Sequence, residues 1–413
     1  MRIVYLNPTG QLGGAERVLL DLLASLRSAQ PDWSTKLIVA SEGPLAERAF
    51  ALGVPTTVLP FPPSIARLGD SGAGGPAALQ LRRLILLSRL GLAIVAAASY
   101  VGELRRVLGQ MEPDVLHTNG FKMHVLGVWA RPSEVPVIWH IHDYVRPRPI
   151  MAKLLKMHAS RCAAVVTNSE SVRRDVRTAL GDHPIAYSVH NALDLTRFCP
   201  VGPTLDLDAL AGLPRTAAGE VRVGLLGTLA RWKGHSVFLR AISMLPPSLP
   251  VRAYVIGDAI YQTAGSQYSL YELKSMARRL GISEKVGFTG LVEEPAAALR
   301  ALDIVVHAST QPEPFGLVVA EAMACGRAVI ASLAGGVTEI IDPPANGLAY
   351  PPGDAAVLAE NIERVVIDRD LRTQLGVASR AAAVRHFDRA RLARDFVPIY
   401  REVVGNGGIA KDG

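Results

Sequence analysis

Two carboxylates, Glu313 and Glu321, stand eight positions apart with an almost wholly apolar segment between them. Phe315 to Cys325 is apolar nearly all round, which predicts a buried helix that begins near Pro314 and ends near Gly326. Glu321 is its only charge, and a buried carboxylate needs hydrogen-bond donors, which the hydroxyl groups of a ligand would supply. The alternative is a solvated Glu313 in a loop and a Glu321 paired with a neighbouring cation.

The start of this predicted helix is a candidate anion site. Its first backbone N–H groups lie at the positive end of the helix dipole without partners inside the helix, which suits a phosphate. They belong to Phe315, Gly316, Leu317 and Val318. The segment therefore predicts a site for sugar hydroxyls, a diphosphate and a ribose along one helix terminus.

The Glu-x7-Glu spacing of Glu313 and Glu321 resembles the signature of the retaining GT-B glycosyltransferases of family 4 (glycosyl transferases group 1), and the similarity extends over nearly the whole chain. The resemblance implies an α/β protein of the GT-B class, in which two Rossmann-like, doubly wound domains face a cleft. It also implies that Glu313 faces the donor sugar and that Glu321 faces the nucleotide ribose.

Composition indicates a globular protein of two domains, since 413 residues with 49% apolar and 20% charged side chains suffice for two cores. A net charge of +7 suits anionic substrates or an anionic membrane surface. Nucleic acid is not an expected partner, because the basic residues are scattered and no aromatic residues accompany them. Three scattered cysteines and an N-terminus without signal-peptide features predict a cytoplasmic protein without disulfides or a zinc site.

Strand candidates alternate with helical stretches, which predicts parallel, doubly wound sheets. The strands are predicted at Arg2–Leu6, Lys36–Ala40, Thr56–Leu59, Asp114–His117, Val137–His142, Ala163–Thr167, Val221–Leu226, Val251–Ile256, Lys285–Gly290 and Ile304–His307. The helices between them include Pro44–Leu52, Ser169–Leu180 and Tyr271–Leu280.

Three domain segments follow from this order and from the resemblance. Residues 1–198 form an N-terminal acceptor-side domain, and residues 199–387 form a C-terminal domain that binds the nucleotide sugar. Residues 388–413 form an amphipathic final helix, which by resemblance crosses back to the first domain. Phe61 to Pro76 is predicted to be a mobile loop and Pro200 to Glu220 to be a linker, since both are rich in turn-forming residues.

The first domain offers a glycine loop and two polar strand ends. Gly10, Gly13 and Gly14 precede a helix without the dinucleotide-binding spacing, which is equally consistent with a plain tight turn; the resemblance implies that the loop at Gly14 faces the donor. A similar His closes the strand matched by His142 in the family and approaches the transferred sugar.

Asn119 and Lys122 follow another strand of this domain and are acceptor-binding candidates. No metal site is predicted at His140, His142 and Asp143, because adjacent strand positions point to opposite faces.

In the second domain, Arg231 and Lys233 are candidates to neutralise a diphosphate leaving group, although without the neighbouring motifs ordinary surface cations would be the favoured interpretation. Lys233-Gly234 matches the family. Many members carry Arg where this chain has Thr228, so Arg231 is the candidate replacement.

Together with the resemblance, these residues predict transfer of a sugar from a UDP- or GDP-sugar to an acceptor hydroxyl in cell-envelope glycan synthesis, with no cofactor. The resemblance implies that the anomeric configuration is retained and that His142 and Glu313 are catalytic. A nucleotide-sugar epimerase of the same plan and a non-catalytic nucleotide-sugar binder are the alternatives. A nicotinamide-dependent oxidoreductase is disfavoured by the missing fingerprint.

Leu84 to Val101 is an apolar stretch that nearly reaches transmembrane length and is flanked by Arg82, Arg83, Arg105 and Arg106. Arg89 at its centre would cost about 2.5–3.5 kcal/mol in a bilayer, which disfavours a span. A packed helix is favoured, and a face that touches the membrane is the alternative. With the basic net charge, this predicts a peripheral enzyme at the inner face of the membrane that acts on a lipid-linked glycan.

Overall fold

The structure, a computed structural model, describes residues 1–66, 79–259 and 265–409, with the side chains of residues 79–94 and 406–409 outside this description. The chain divides into two compact units. The first comprises Met1–Ala192 with Arg389–Gly413, and the second comprises Leu193–Asp388. The predicted boundaries at residues 198 and 387 lie close to these divisions and stay predictions of independent domains.

Within the described ranges, the first unit contains a seven-stranded sheet whose neighbouring strands are all parallel. The strands are β1 (Arg2–Asn7), β2 (Ser34–Val39), β3 (Thr56–Val58), β4 (Val115–Asn119), β5 (Val137–Ile141), β6 (Ala164–Thr167) and β7 (Ile185–Ser188). Their order is β3-β2-β1-β4-β5-β6-β7, so the direction of winding reverses between β1 and β4. Doubly wound sheets bind ligands at such a reversal, beyond the carboxyl ends of the strands.

Helices cover both faces of this sheet. They are α1 (Gly14–Ala29), α2 (Pro44–Ala51), α3 (Pro63–Ala66), α4 (Leu79–Met111), α5 (Phe121–Ala130), α6 (Pro149–His158), α7 (Glu170–Leu180) and, after the whole second unit, α15 (Ala390–Ile409). Ile3 and Tyr5 of β1 lie in a core with α1, α2 and α15, whereas Val4 and Leu6 lie in a core with α4 to α7. Since alternate strand residues point to opposite faces, a sheet covered on both sides has continuously apolar strands.

The described part of the second unit contains a six-stranded parallel sheet in the order β10-β9-β8-β11-β12-β13. Its strands are β8 (Val221–Leu226), β9 (Val251–Ile256), β10 (Val286–Gly290), β11 (Ile304–His307), β12 (Ala328–Ser332) and β13 (Leu348–Tyr350). Its helices are α8 (Leu207–Ala211), α9 (His235–Met244), α10 (Leu270–Arg279), α11 (Pro295–Arg300), α12 (Leu317–Ala324), α13 (Ala355–Ile367) and α14 (Arg369–His386). The winding reverses between β8 and β11, as it does between β1 and β4.

The prediction of two Rossmann-like, doubly wound sheets is confirmed. Every predicted strand is present, and the prediction omits β7, β12 and β13, which are strands of three to five residues. Short strands leave too few residues for a periodic pattern to be distinguished from a turn.

The predicted linker, Pro200 to Glu220, is wrong in part. It contains α8, whose Leu207 is fully buried. The buried carboxylate of Asp208 accepts hydrogen bonds from the Tyr254 hydroxyl at 2.5 Å and from the Thr216 backbone N–H at 2.8 Å. The segment is therefore packed against the second sheet, because polar contacts that composition does not reveal hold it there.

The apolar stretch Leu84–Val101 lies inside α4, and its side chains are described from Val95 onward. Tyr100, Leu104 and Leu108 are buried in the core of the first unit, as a packed helix requires. No helix in the described ranges has the length and apolar character to cross a bilayer. Of the predicted mobile loop, Pro63–Ala66 form α3, and residues 67–76 lie outside the description.

Candidate active site

A polar cluster lies beyond the carboxyl ends of β8, β11 and β12, where the second sheet reverses its winding. Glu313 is at its centre and is 8% exposed, so the interpretation of a solvated loop residue is wrong. Lys233 Nζ donates to both Glu313 carboxylate oxygens at 2.8 Å. The Ser309 hydroxyl donates to Oε2 at 2.9 Å, and His307 Nε2 lies 3.3 Å from the same oxygen.

The backbone of Glu313 is fixed as firmly as its side chain. Its N–H donates to the Ala334 carbonyl at 3.2 Å, and its carbonyl accepts from the Gly336 N–H at 2.7 Å. Glu313 thus pairs with the segment after β12 as a short parallel bridge to Gly335. The carboxylate is held at a defined place beyond the carboxyl ends of the central strands β11 and β12.

The charge of Glu313 is maintained by its neighbours. Burial raises the pKa of this carboxyl, but the Lys233 cation and the hydrogen bond from His307 outweigh burial and hold the pKa well below its usual range. The group is therefore a carboxylate at neutral pH, whose oxygens only accept hydrogen bonds. His307 accordingly donates to it through Nε2–H.

Lys233 reaches Glu313 because the chain turns sharply after β8. Residues Arg231–Lys233 form a 3₁₀ turn, and Gly234 follows with a φ of +75°. A Cβ at Gly234 would lie 1.7 Å from the Ala308 carbonyl oxygen, so only glycine fits this close approach to the end of β11. The sequence match at Lys233-Gly234 has this physical basis.

The predicted buried helix after Glu313 is confirmed as α12, and its predicted start near Pro314 is wrong. Gly316 has a φ of +97°, outside the helical range, so the helix begins at Leu317. Phe315 and Gly316 therefore precede α12, and Leu317 and Val318 are its first residues.

Glu321 lies in the middle of α12 and is 2% exposed, among the buried Ala320 and Ala322. The predicted burial of this carboxylate is confirmed. Its role toward a ribose stays a prediction.

Arg231 has different partners from Lys233. Its Nη2 donates to Glu272 Oε1 at 2.8 Å, its Nε donates to the Gly265 carbonyl at 3.0 Å, and its guanidinium carbon lies 4.3 Å from the Tyr268 ring centroid. Both side chains of the Arg231–Glu272 pair are close to half exposed, which makes the pair weak and exchangeable. The structure therefore joins Lys233 to Glu313 and Arg231 to Glu272, and the diphosphate role of Arg231 stays a prediction.

In the first unit, the glycine loop joins β1 to α1, and Gly14 is the exposed first residue of the helix. The Glu16 carboxylate accepts a hydrogen bond from the Gly13 N–H at 3.0 Å and another from Asn7 Nδ2 at 3.3 Å. A carboxylate of the chain thus caps this helix N-terminus, where its charge is favourable. Donor binding at Gly14 stays a prediction.

Asn119, the last residue of β4, and His142, the first residue after β5, lie side by side at the carboxyl ends of these strands. His142 Nε2 lies 3.2 Å from Asn119 Oδ1, and an amide oxygen only accepts, so His142 donates through Nε2–H. Burial lowers the pKa of His142 to about 4, which keeps the ring neutral at pH 7. Lys122, the other acceptor candidate, donates to the Ala66 carbonyl at 2.6 Å.

The stated reason against a metal site at His140 and His142 is wrong for these two residues. They are two positions apart, and their ring centroids lie 4.0 Å from each other. In the part of the chain that the structure describes, no group of three or more His, Cys, Asp or Glu side chains is placed to hold a metal ion.

Sequence reasoning missed the groups that surround Glu313. His307 ends β11, Ser309 follows it, and Ser332 ends β12 with its hydroxyl donating to the Ser309 carbonyl at 2.7 Å. Because ligands lie beyond the carboxyl ends of parallel strands at a reversal, that rule applied to β11 would have found His307 and Ser309.

Two family models match this chain. Residues 12–197 match Glycosyltransferase Family 4, and residues 215–382 match Glycosyl transferases group 1. A D-inositol 3-phosphate glycosyltransferase of Xylanimonas cellulosilytica is 29% identical over 316 residues, 70% of this chain and 72% of that protein. A phosphatidyl-myo-inositol mannosyltransferase of Mycobacterium leprae is 26% identical over 310 residues, 73% of this chain and 77% of that protein.

Among solved structures, Anabaena HepE in complex with UDP-glucose superimposes with a TM-score of 0.77 at 25% sequence identity, covering 97% of this chain and 100% of that one. The two family matches together span most of both units, and each unit has the parallel sheet and the polar strand ends described above. This chain therefore belongs to glycosyltransferase family 4 and is a glycosyltransferase with the GT-B fold.

Proposed function

We propose that this protein transfers a glycosyl group, with retention of anomeric configuration, from a nucleotide-diphosphate sugar to an acceptor hydroxyl. The observation that carries the proposal is the ion pair of the partly exposed Lys233 with the buried Glu313, beside the start of α12. The carboxylate offers acceptors to sugar hydroxyls, the ammonium offers a cation to the diphosphate, and the helix start offers backbone N–H groups.

The ion pair suggests how the donor is engaged. In this structure the Lys233 ammonium forms an ion pair with the Glu313 carboxylate. A diphosphate carries more negative charge than one carboxylate, so a bound donor would draw the ammonium toward the phosphates and free a Glu313 oxygen for a sugar hydroxyl. Lys233 would then stabilise the charge that develops on the leaving phosphate, without a metal ion or cofactor.

The other residues take the roles that the family resemblance implies. The second unit would bind the nucleotide through Glu321 at the ribose and the phosphates through Arg231 and the segment Phe315–Val318. The first unit would supply His142 at the transferred sugar, Gly14 toward the donor, and Asn119 and Lys122 for the acceptor. The departing phosphate oxygen would help to deprotonate the acceptor hydroxyl.

UDP-glucose is the first donor to test, because the Anabaena neighbour binds it; GDP-sugars come second. The assay measures release of UDP in the presence of candidate acceptors, and the anomeric proton coupling of the product reports retention. Glu313→Gln keeps the shape and removes the charge, so it should abolish most of the transfer. Conversion of the donor without an acceptor would indicate an epimerase, and binding without nucleotide release would indicate a non-catalytic binder.

The role of Arg231 has its own test. A charge-assisted contact with the diphosphate is worth about 1.5–3 kcal/mol, so Arg231→Ala should lower kcat/KM by an order of magnitude or more. Glu272→Ala is the matched control, because it breaks the same surface pair while keeping the cation. If Arg231→Ala and Glu272→Ala have equal, small effects, Arg231 is a surface residue and Lys233 acts alone.

We further propose that the enzyme acts at an anionic membrane surface on a lipid-linked acceptor in cell-envelope glycan synthesis. The Mycobacterium leprae relative, a phosphatidyl-myo-inositol mannosyltransferase, is named for such a lipid. The first contact surface is the predicted one, Leu84–Val101 with its flanking arginines. Of that surface, Val95 is 69% exposed, and Arg105 and Arg106 are exposed.

Helix α6 provides a second surface of the same chemistry. Ile150 is 80% exposed and Met157 is 63% exposed, with Lys153 between them on the same side of the helix. Besides Lys153, this segment carries the cations Arg146, Arg148, Lys156 and Arg161, and residues 144–169 contain no Asp or Glu. An apolar helix face bordered by cations suits the headgroup region of an anionic bilayer, which adds roughly 1 kcal/mol per cation near the surface.

Vesicle co-sedimentation tests the membrane proposal and separates the two surfaces. Binding to anionic vesicles is expected at low salt and should weaken at high salt. Two variants with equal loss of charge are compared: one replaces Arg82, Arg83, Arg105 and Arg106 by Ser, and the other replaces Arg146, Lys153, Lys156 and Arg161 by Ser. Absence of binding under both salt conditions would direct the acceptor search to soluble sugars.

A further inference from the structure

A chain of buried hydrogen-bonding side chains runs through the core of the first unit. The Tyr5 and Tyr400 hydroxyls lie 3.1 Å apart, and the Tyr400 hydroxyl lies 2.8 Å from His117 Nδ1. His117 Nε2 in turn lies 3.2 Å from His140 Nδ1. All four side chains are at most 2% exposed, and the two tyrosines are 0% exposed, so each hydroxyl hydrogen needs its acceptor within the protein.

The hydrogens of this chain have one arrangement in which both tyrosine hydroxyl hydrogens are donated within the chain. Burial lowers the pKa of both His117 and His140, so both rings are neutral and carry one N–H each. In this arrangement, the Tyr5 hydroxyl donates to the Tyr400 hydroxyl and the Tyr400 hydroxyl donates to His117 Nδ1. His117 then donates through Nε2–H to His140 Nδ1. The opposite direction would leave the hydroxyl hydrogen of Tyr5, which is 0% exposed, without an acceptor, because Tyr400 is its one hydrogen-bond partner among the described residues. In the first direction the end donor is His140 Nε2–H, and His140 Nε2 is not among the buried atoms that lack a partner.

This direction fixes the state of His140. Its Nδ1 accepts from His117, so its proton is on Nε2. The His140 ring is further enclosed by the Phe396 ring, at a centroid distance of 5.3 Å. Its orientation is thus set by two residues of α15, Phe396 through packing and Tyr400 through His117.

His142 packs directly on this fixed ring. The His140 and His142 ring centroids are 4.0 Å apart, with 38° between the planes. On its other side, His142 donates to Asn119 Oδ1, and its backbone carbonyl accepts from Asn168 Nδ2 at 3.0 Å. The imidazole is therefore held between the Asn119 amide and the end of the hydrogen-bonded chain.

We propose that Tyr400 is a positioning residue for His142, which it fixes through the imidazoles of His117 and His140. The proposal rests on the proposed role of His142 at the transferred sugar. It assigns to the final helix a part in the reaction that does not require contact with substrate. Tyr400 acts by donating a hydrogen bond to His117 Nδ1, which keeps the proton of each imidazole on Nε2. Loss of that bond would let His117 and His140 adopt the other tautomer.

Two substitutions separate positioning from general stability. Tyr400→Phe and Tyr5→Phe each delete one buried hydroxyl and break the bond between the two tyrosines. Tyr400→Phe alone also removes the donor to His117, whereas in Tyr5→Phe the Tyr400 hydroxyl still donates to it. Tyr400→Phe is therefore expected to lower kcat about threefold to tenfold with little change in the donor KM, and Tyr5→Phe is expected to leave kcat unchanged.

Ring ¹⁵N NMR of the full-length protein, without donor or acceptor, supplies the second readout. In the native chain and in Tyr5→Phe, His140 is expected to be protonated on Nε2. In Tyr400→Phe, His140 is expected to show a mixture of the two tautomers, and the His142 ring is expected to be more mobile. A native His140 protonated on Nδ1 would overturn the proposal even if neither variant folds. Equal losses of kcat in both variants, or unchanged His142 signals in Tyr400→Phe, would also overturn it. A native protein with the expected NMR pattern and no transferase activity would contradict the proposed function instead.

Discussion

At the scale of single residues, the convergence of donors on Glu313 determines what a substitution will do. Lys233, Ser309 and His307 all direct hydrogens at one carboxylate that is 8% exposed. Taking a carboxylate out of water is costly, and these three contacts offset the cost. Removing Lys233 alone is therefore expected to destabilise the fold more than removing the charges of Lys233 and Glu313 together.

Lys233→Met is expected to lower the free energy of unfolding by about 3 kcal/mol, because it leaves a buried carboxylate without its cation. Glu313→Gln removes the charge, so the double variant should recover part of this loss. Urea unfolding of the native chain, both single variants and the double variant measures the coupling. Additive effects of the two substitutions would mean that the pair contributes nothing to stability.

Glu321→Gln tests the ribose assignment. The amide keeps the shape of the side chain and one acceptor oxygen, so the buried position in α12 should tolerate it. The donor KM should rise because an amide accepts a hydroxyl hydrogen less strongly than a carboxylate does. Thermal unfolding serves as the control for folding, and an unchanged donor KM in a folded variant would remove Glu321 from the site.

At the scale of elements, the site depends on the turn after β8, because this turn brings Lys233 to the end of β11. Gly234→Ala is expected to be more destabilising than Gly353→Ala. Both glycines have a positive φ, +75° and +85°, which costs an alanine about 1–2 kcal/mol. A Cβ at Gly353 meets open space, whereas one at Gly234 collides with the Ala308 carbonyl oxygen.

Thermal unfolding and the donor KM of both alanine variants check this expectation. Gly234→Ala should also raise the donor KM, since the collision displaces the residue next to Lys233. Equal melting temperatures for the two variants would show that the backbone beside Ala308 relaxes freely.

Sequence patterns predicted those helices and strands that correspond to continuous apolar runs of several residues. The apolar run after Glu313 predicts α12, and the strands from Arg2 to Leu6 and from Val221 to Leu226 follow from their buried character. The start of α12 depends on the φ of Gly316, where an added Cβ would also lie 2.8 Å from Val337 Cγ2, and the sequence displays neither feature.

The candidate site was predictable only in part for a related reason. Glu313 and Lys233 are 80 positions apart, and their contact depends on β8 and β11 being neighbours in the sheet. The spacing of residues identified both side chains as functional candidates. The choice of Lys233 over Arg231 as the partner of Glu313 required the three-dimensional course of the turn.

At the scale of the whole molecule, buried histidines link stability to pH. His117, His124, His140, His142 and His235 all have a lowered pKa, because burial disfavours the charged imidazolium. In an unfolded chain such residues titrate near pH 6.5. Below that pH the unfolded chain binds more protons than the folded one, so stability falls as the pH falls.

The free energy of unfolding is therefore expected to be nearly constant above pH 7 and to decrease from pH 6.5 to about 4, by up to roughly 1.4 kcal/mol per pH unit for each such histidine. Glu313 acts in the same direction at lower pH, since its pKa is lowered and its contribution is lost as the pH falls below about 4.3. Urea unfolding at a series of pH values measures the slope. His124→Gln should reduce it by up to one proton, and a flat profile between pH 7 and 5 would contradict the buried neutral state.

The order of the elements also bears on how the protein is made in the cell. Tyr5 and Tyr400 are partners 395 positions apart, and α15 covers β1 and α1 with residues that follow the whole second unit. A ribosome therefore delivers the first strand early and its covering helix only after residues 193–388. During translation the second unit is able to fold while an apolar face of the first waits for its cover. A premature stop within α15 would release a chain that is half folded and exposed to chaperones and proteases, although every residue proposed to touch the sugar donor had already been synthesised.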